Sequence, residues 1–186
     1  MGNINQALFQ IVYGWSHQNY VLDWVGIFLA QYLPYLLVLG FLYLVLKGIG
    51  WRRRVYLFAE GALAVILGRG ILTEIIRFLY NHARPFDVYA FTPLISESGN
   101  SFPSGHMAFF FALALVVYCH DRRWGIWYFV LSAVIGLARI YAGVHWPLDI
   151  LGGAAVGFLS GWLIHVLLKP HGRGIGVSAP AGVPQA

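Results

Sequence analysis

Residues 147–168 read PLDILGGAAVGFLSGWLIHVLL, and this stretch decides the fold. It carries one carboxylate, Asp149, at its start and one imidazole, His165, near its end. A helix needs about 20 apolar residues to cross a hydrocarbon core of about 30 Å. Four more runs approach that length, at 22–46, 55–76, 104–120 and 124–142. The third is short, and the fourth holds Arg139 near its end. The composition agrees: 59% of the 186 residues are hydrophobic and 10% are charged, against about 25% charged in an ordinary soluble domain. The 17% aromatic content suits membrane interfaces.

The expected architecture is therefore an all-α polytopic membrane bundle of about five spanning helices. Ile4, Ala7, Leu8, Ile11, Val12 and Trp15 form a helical stripe within residues 3–16. That amphipathic helix suits the membrane interface, or packing on the bundle. Residues 1–171 read as one membrane-embedded domain, and 172–186 as a disordered tail rich in Gly, Pro and Ala. Met1 to Gln10 holds no basic residue, so no cleavable signal peptide is expected. The single Cys119 excludes an intramolecular disulfide.

The formal charge of +5 raises nucleic acid as a partner, but the basic residues sit in short connections between apolar runs. Lys47, Arg52, Arg53, Arg54, Arg122, Arg123, Lys169 and Arg173 fall on one side if the spans alternate; they are eight of the twelve basic residues. The positive-inside rule assigns that side, with the tail, to the cytoplasm. A multi-pass membrane protein is expected, with connections 77–103 and 143–146 outside. Membrane lipid is the expected surrounding and nucleic acid is not an expected partner.

Three segments then converge on the outer face. They are Arg77-x6-Arg84-Pro85, Ser101-Phe102-Pro103-Ser104-Gly105-His106, and Arg139-x5-His145-x3-Asp149. Arg77, Arg84 and Arg139 can surround a phosphate with forked, charge-assisted hydrogen bonds. Ser104 and Gly105 open a helix whose free N–H groups favour an anion. Asp149 is placed to reach back to His145 and fix its tautomer. His145 then reads as a nucleophile forming a phosphohistidine, and His106 as the acid and base. Two histidines and an aspartate also suggest a metal, but three neighbouring arginines would repel a cation, so no metal or cofactor is expected there.

These segments resemble the signatures of the type 2 phosphatidic acid phosphatase superfamily: Lys-x6-Arg-Pro, Pro-Ser-Gly-His and Ser-Arg-x5-His-x3-Asp. Arg77 stands for the family Lys and Ala138 for the family Ser. The resemblance implies a metal-independent phosphatase with a helical core and the same roles for His106, His145 and Asp149. Phe9 to Asp23 and the small size further resemble bacitracin-resistance-type undecaprenyl-diphosphate phosphatases. That implies a polyprenyl diphosphate substrate. Related enzymes act on phosphatidylglycerol phosphate, phosphatidate or lipid A phosphates, and a non-catalytic lipid-phosphate binder is the reading from another class.

Four ionisable residues lie within the runs. Glu74 is placed to orient Arg77 across a turn. Glu60 and Arg69 are expected to pair between helices, out of reach of the chemistry, and His165 to be a satisfied core histidine. Loop 86–100 is expected to shape headgroup access, and His82 to contact a second phosphate.

Overall fold

The computed structural model describes residues 2–48 and 50–169, so the expected tail lies outside the described residues. All regular structure among them is helical. We label α1 Gly2–Tyr13, α2 Tyr20–Lys47 and α3 Trp51–Leu79, α4 Pro85–Tyr89, α5 Gly105–His120, α6 Arg122–Tyr141 and α7 Pro147–Leu168.

Local chemistry sets the starts. Asn19 Oδ1 accepts the Val21 and Leu22 N–H groups at 2.9 and 3.3 Å, capping α2. Asp121 does the same for α6, accepting from Arg123 and Trp124 at 3.0 and 3.2 Å. Pro147 opens α7 where its missing N–H costs nothing. Helices α2 and α3 each contain a π turn, at Phe28–Tyr32 and Ile66–Leu72. Such turns widen the helix and rotate the faces on either side.

Helices α2, α3, α6 and α7 are long and apolar enough to cross a membrane. The third expected span, α5, has 16 residues, or about 24 Å at 1.5 Å per residue. Its surroundings explain the shortfall. Helix α5 packs along α7 and α6 and against α3, and Met107, Ala108, Phe110 and Leu113 through Val117 are buried. Its neighbours, rather than lipid, cover it, so its length need not match the bilayer. The apolar face of α1 that holds Ile4, Leu8 and Ile11 is exposed, as is Trp15 just past its end, while Phe9 on the other side is buried against Ile140 and Trp146. The expected packing on the bundle is therefore found on one face of α1, and the other face is left apolar and exposed.

The α5–α7 seam depends on small residues. A Cβ on Gly157 would collide with the Ala108 carbonyl, and one on Gly161 would lie 2.9 Å from the Ala112 carbonyl. Gly153, one turn earlier, faces the Ser104 carbonyl and Met107. Close backbone approach of this kind is how helices associate where no hydrophobic drive separates them from lipid. Gly157→Leu is expected to cost about 1–3 kcal/mol by overpacking, read as a fall of several degrees in the melting temperature in detergent. An unchanged melting temperature would mean that the seam is looser than drawn.

Candidate active site

The turn from α6 to α7 builds the innermost part of the site. The Asp149 carboxylate is fully buried, and its Oδ2 accepts the Trp146 N–H at 2.8 Å and the Ser101 hydroxyl. His145 Nδ1 lies 3.4 Å from the same oxygen and is also buried. An Nδ1–H facing the carboxylate leaves Nε2 with the ring's lone pair. Burial pushes the His145 imidazole down to about 4, against the pull of its contact with Asp149. The ring is therefore neutral at pH 7. The Ser104 N–H donates to the Asp149 backbone carbonyl at 3.0 Å, which ties the start of α5 to the start of α7.

The three arginines come together but engage differently. Arg139, 2% exposed, pairs with Glu97 and places Nη1 3.4 Å from His106 Nε2. Its Nε–H has no partner. Arg84 donates to the carbonyls of Gly99, Val144 and Ser98 at 2.9, 2.9 and 3.1 Å. It thus stitches the outer loop to the His145 turn and spends three of its five N–H donors doing so. Arg77 donates Nε–H and Nη2–H to the Pro103 carbonyl at 3.3 and 3.1 Å. Glu74 lies 3.6 Å from Arg77 Nη1.

Glu97 was read from sequence only as part of the outer loop. It bridges Arg139 and Arg84, the latter at 3.5 Å. Burial works to raise its pKa, but the two guanidiniums outweigh that and hold the carboxyl below its usual range. The Ser104 hydroxyl is buried without a partner and makes no cap bond. Gly105 leaves room for Arg69: a Cβ there would collide with its Nε.

Two sequence expectations change. Arg69 does not sit out of reach. It lines one cavity with His106, Glu97 and Arg139, and pairs with Glu74. The π turn at 66–72 and the pull of Glu74 account for this, and neither is visible in hydropathy. The pairing with Glu74 lies within one helix rather than between helices. His82 Nδ1 lies 3.4 Å from Asp149 Oδ1, and its ring borders a cavity on that side. Ser101 was noted only as part of its motif, and its bond to Asp149 had no signal in the spacing. Glu60 does pair across helices, with His120 and His165 at 2.7 Å each.

The cavity beside Arg139 has a volume of about 390 Å³. Its polar end is Arg69, Glu97, His106 and Arg139, and its apolar flank is Pro34, Tyr35, Val38, Phe109 and Phe110. A second cavity, of about 740 Å³, opens on the His82 and Asp149 side.

The fold is a helical bundle with helices long and apolar enough to cross a membrane, and it buries a histidine–aspartate pair and two arginines at one end. Its sequence gives the family: the PAP2 superfamily model matches residues 58–173, and the chain belongs to that superfamily, a family of phosphatases. It is 32% identical over 162 residues to "Bacitracin transport permease protein BcrC" of Bacillus licheniformis, covering 84% of this chain and 77% of that one. It is 29% identical to "Undecaprenyl-diphosphatase BcrC" of Bacillus subtilis, covering 86% and 82%. Among solved structures, Aquifex aeolicus LpxE superposes with a TM-score of 0.72 at 28% identity, covering 87% of this chain and 94% of that one.

Proposed function

We propose that this protein hydrolyses undecaprenyl diphosphate to undecaprenyl phosphate and inorganic phosphate at the extracytoplasmic face, through a phosphohistidine on His145. The observation that carries the reading is the buried His145–Asp149 pair beside Arg139 and His106. Substrate class rests on the relatives named as undecaprenyl-diphosphatases, and face on the distribution of basic residues.

In the first step the Nε2 lone pair of His145 attacks the terminal phosphorus. The bond from that phosphorus to the bridging oxygen breaks, and His106 gives its proton to the departing undecaprenyl phosphate. Asp149 stabilises the positive ring as it forms. In the second step His106 takes a proton from water, the oxygen attacks phosphorus, and inorganic phosphate leaves Nε2. Arg139, Arg84 and Arg77 surround the transferring group, with the Ser104 hydroxyl and the start of α5 as further donors. Glu97 occupies the guanidiniums that the substrate needs, so the phosphate must displace it. The apolar flank of the cavity lies on the path of the polyprenyl tail, whose headgroup alone leaves hydrocarbon.

The test is phosphate release by purified protein in detergent with EDTA, on undecaprenyl diphosphate beside phosphatidate and phosphatidylglycerol phosphate. Release should survive EDTA and favour the polyprenyl diphosphate. Preference for either phospholipid would keep the mechanism and overturn the substrate.

The pH profile gives an independent check. The nucleophile is active when neutral, and a ring held near 4 stays neutral well below the usual histidine value. The limb of kcat/KM due to His145 should therefore fall near pH 4 on the acid side. A limb near pH 6.5 that moves in Asp149→Asn would show an unperturbed ring.

A further inference from the structure

At the other end of α5, three side chains from three helices converge in a way that the hydrolysis does not use. Glu60 of α3 is completely buried. Its Oε2 lies 2.7 Å from His120 Nε2 at the end of α5, and its Oε1 lies 2.7 Å from His165 Nδ1 near the end of α7. The candidate ligand atoms all lie within 4.8 Å of one another, and this is the only such group of three among the described residues. His106 and His120 bracket α5, fourteen positions and about 20 Å apart along the axis, so the cluster is remote from the phosphate chemistry.

We propose that Glu60, His120 and His165 form a binding site for one divalent transition-metal ion, Zn²⁺ in the first instance, that clamps α3, α5 and α7. Two imidazole nitrogens and one carboxylate oxygen are a common ligand set for zinc, with the fourth position left to water. Imidazoles select against Mg²⁺ and Ca²⁺, which prefer all-oxygen shells. Ligand atoms around zinc stand about 3.3 Å apart for bonds of about 2.0–2.1 Å. Binding would open the 2.7 Å contacts to Glu60 slightly, draw in the wider separations, which lie within 4.8 Å, and change the tautomers, the two N–H protons passing to the other nitrogen of each ring. No Lys or Arg among the described residues pairs with Glu60, which sets this cluster apart from the arginine-lined site. Access is available too. His120 and His165 side chains are 21% and 24% exposed, and a cavity of about 250 Å³ bordered by His120 and Asp121 reaches the same end. Lys47 and Arg53 also border it, so the ion must enter past positive charge.

The experiment uses full-length, tag-free protein in detergent, stripped with EDTA, loaded with Zn²⁺ and exchanged into metal-free buffer before metal is counted per chain. Wild type and His145→Ala should each retain about one zinc ion, and His120→Ala and His165→Gln should lose it. Zinc should raise the melting temperature of wild type by roughly 5–10 °C when well above its dissociation constant, and of the two ligand variants by much less. Should the variants not fold, Co²⁺ loaded into wild type should give the visible bands of a tetrahedral site. Wild type that retains no metal and shows no shift, retention unchanged in the ligand variants, or loss in His145→Ala instead would each overturn the proposal. Phosphate release in EDTA is a separate readout, so the metal site and the hydrolysis can fail independently.

Discussion

His145→Ala is expected to lower phosphate release by roughly 10⁴-fold or more, the loss seen when a nucleophile is removed from a site whose parts act together. The ring is buried against Asp149 and close to Ser101, with contacts of 3.4 Å to each. Its removal leaves the arginines and His106 in place, so the phosphate should still bind. The prediction is thus a collapse of kcat with little change in KM. Asp149→Asn should fall less far, by about 10²–10⁴-fold, because it disturbs the tautomer without deleting the attacking atom. Quenching in alkaline detergent with substrate ³²P-labelled on the terminal phosphate should trap an alkali-stable, acid-labile phosphoprotein in wild type and none in His145→Ala. A labelled intermediate that persists in His145→Ala would place the nucleophile elsewhere. A melting curve on each variant separates chemistry from folding.

Arg139→Ala is the second large effect. Arg139 meets both Glu97 and His106 and is almost wholly buried. Deleting it removes charge from the transferring group and leaves Glu97 with Arg84 at 3.5 Å as its remaining ion-pair partner. Loss of a single arginine from a phosphoryl-transfer site costs about 10³-fold or more, and kcat/KM should fall by that order. Arg139→Lys should recover only part of it, since an ammonium keeps the charge but not the fork. Activity within tenfold of wild type in Arg139→Ala would mean that Arg139 holds Glu97 and the loop rather than the phosphate. Pairing it with Glu97→Gln distinguishes the two. If Glu97 competes with substrate, Glu97→Gln alone should lower KM severalfold.

The division of labour among the arginines shows what residue spacing conveys. That three arginines come together at one end of the bundle was legible, because the spans and the motifs independently place them there. That Arg84 spends three donors on the carbonyls of Ser98, Gly99 and Val144 was not. Backbone carbonyls carry no residue identity, so no pattern announces them. Glu97 and Ser101 were hidden for a related reason: they come from loop backbone whose path hydropathy does not encode. Arg69 was placed out of reach because hydropathy sets it inside a span and encodes neither the widened turn at 66–72 nor the pairing with Glu74.

By itself, the sequence determined the solvent and the chemistry: apolar runs long enough for lipid, and two histidines, an aspartate and arginines at spacings that suit phosphoryl transfer. Those properties are local, set by residue type and by the period of one helix. Only the tertiary structure decided that α5 is a short central helix enclosed by its neighbours, that α7 approaches it through Gly153, Gly157 and Gly161, and that Glu60, His120 and His165 meet at its far end. Those are contacts between segments far apart in the chain. They depend on which faces of the helices meet, and helix rotation within a bundle is fixed by packing, not by the hydropathy of any one segment.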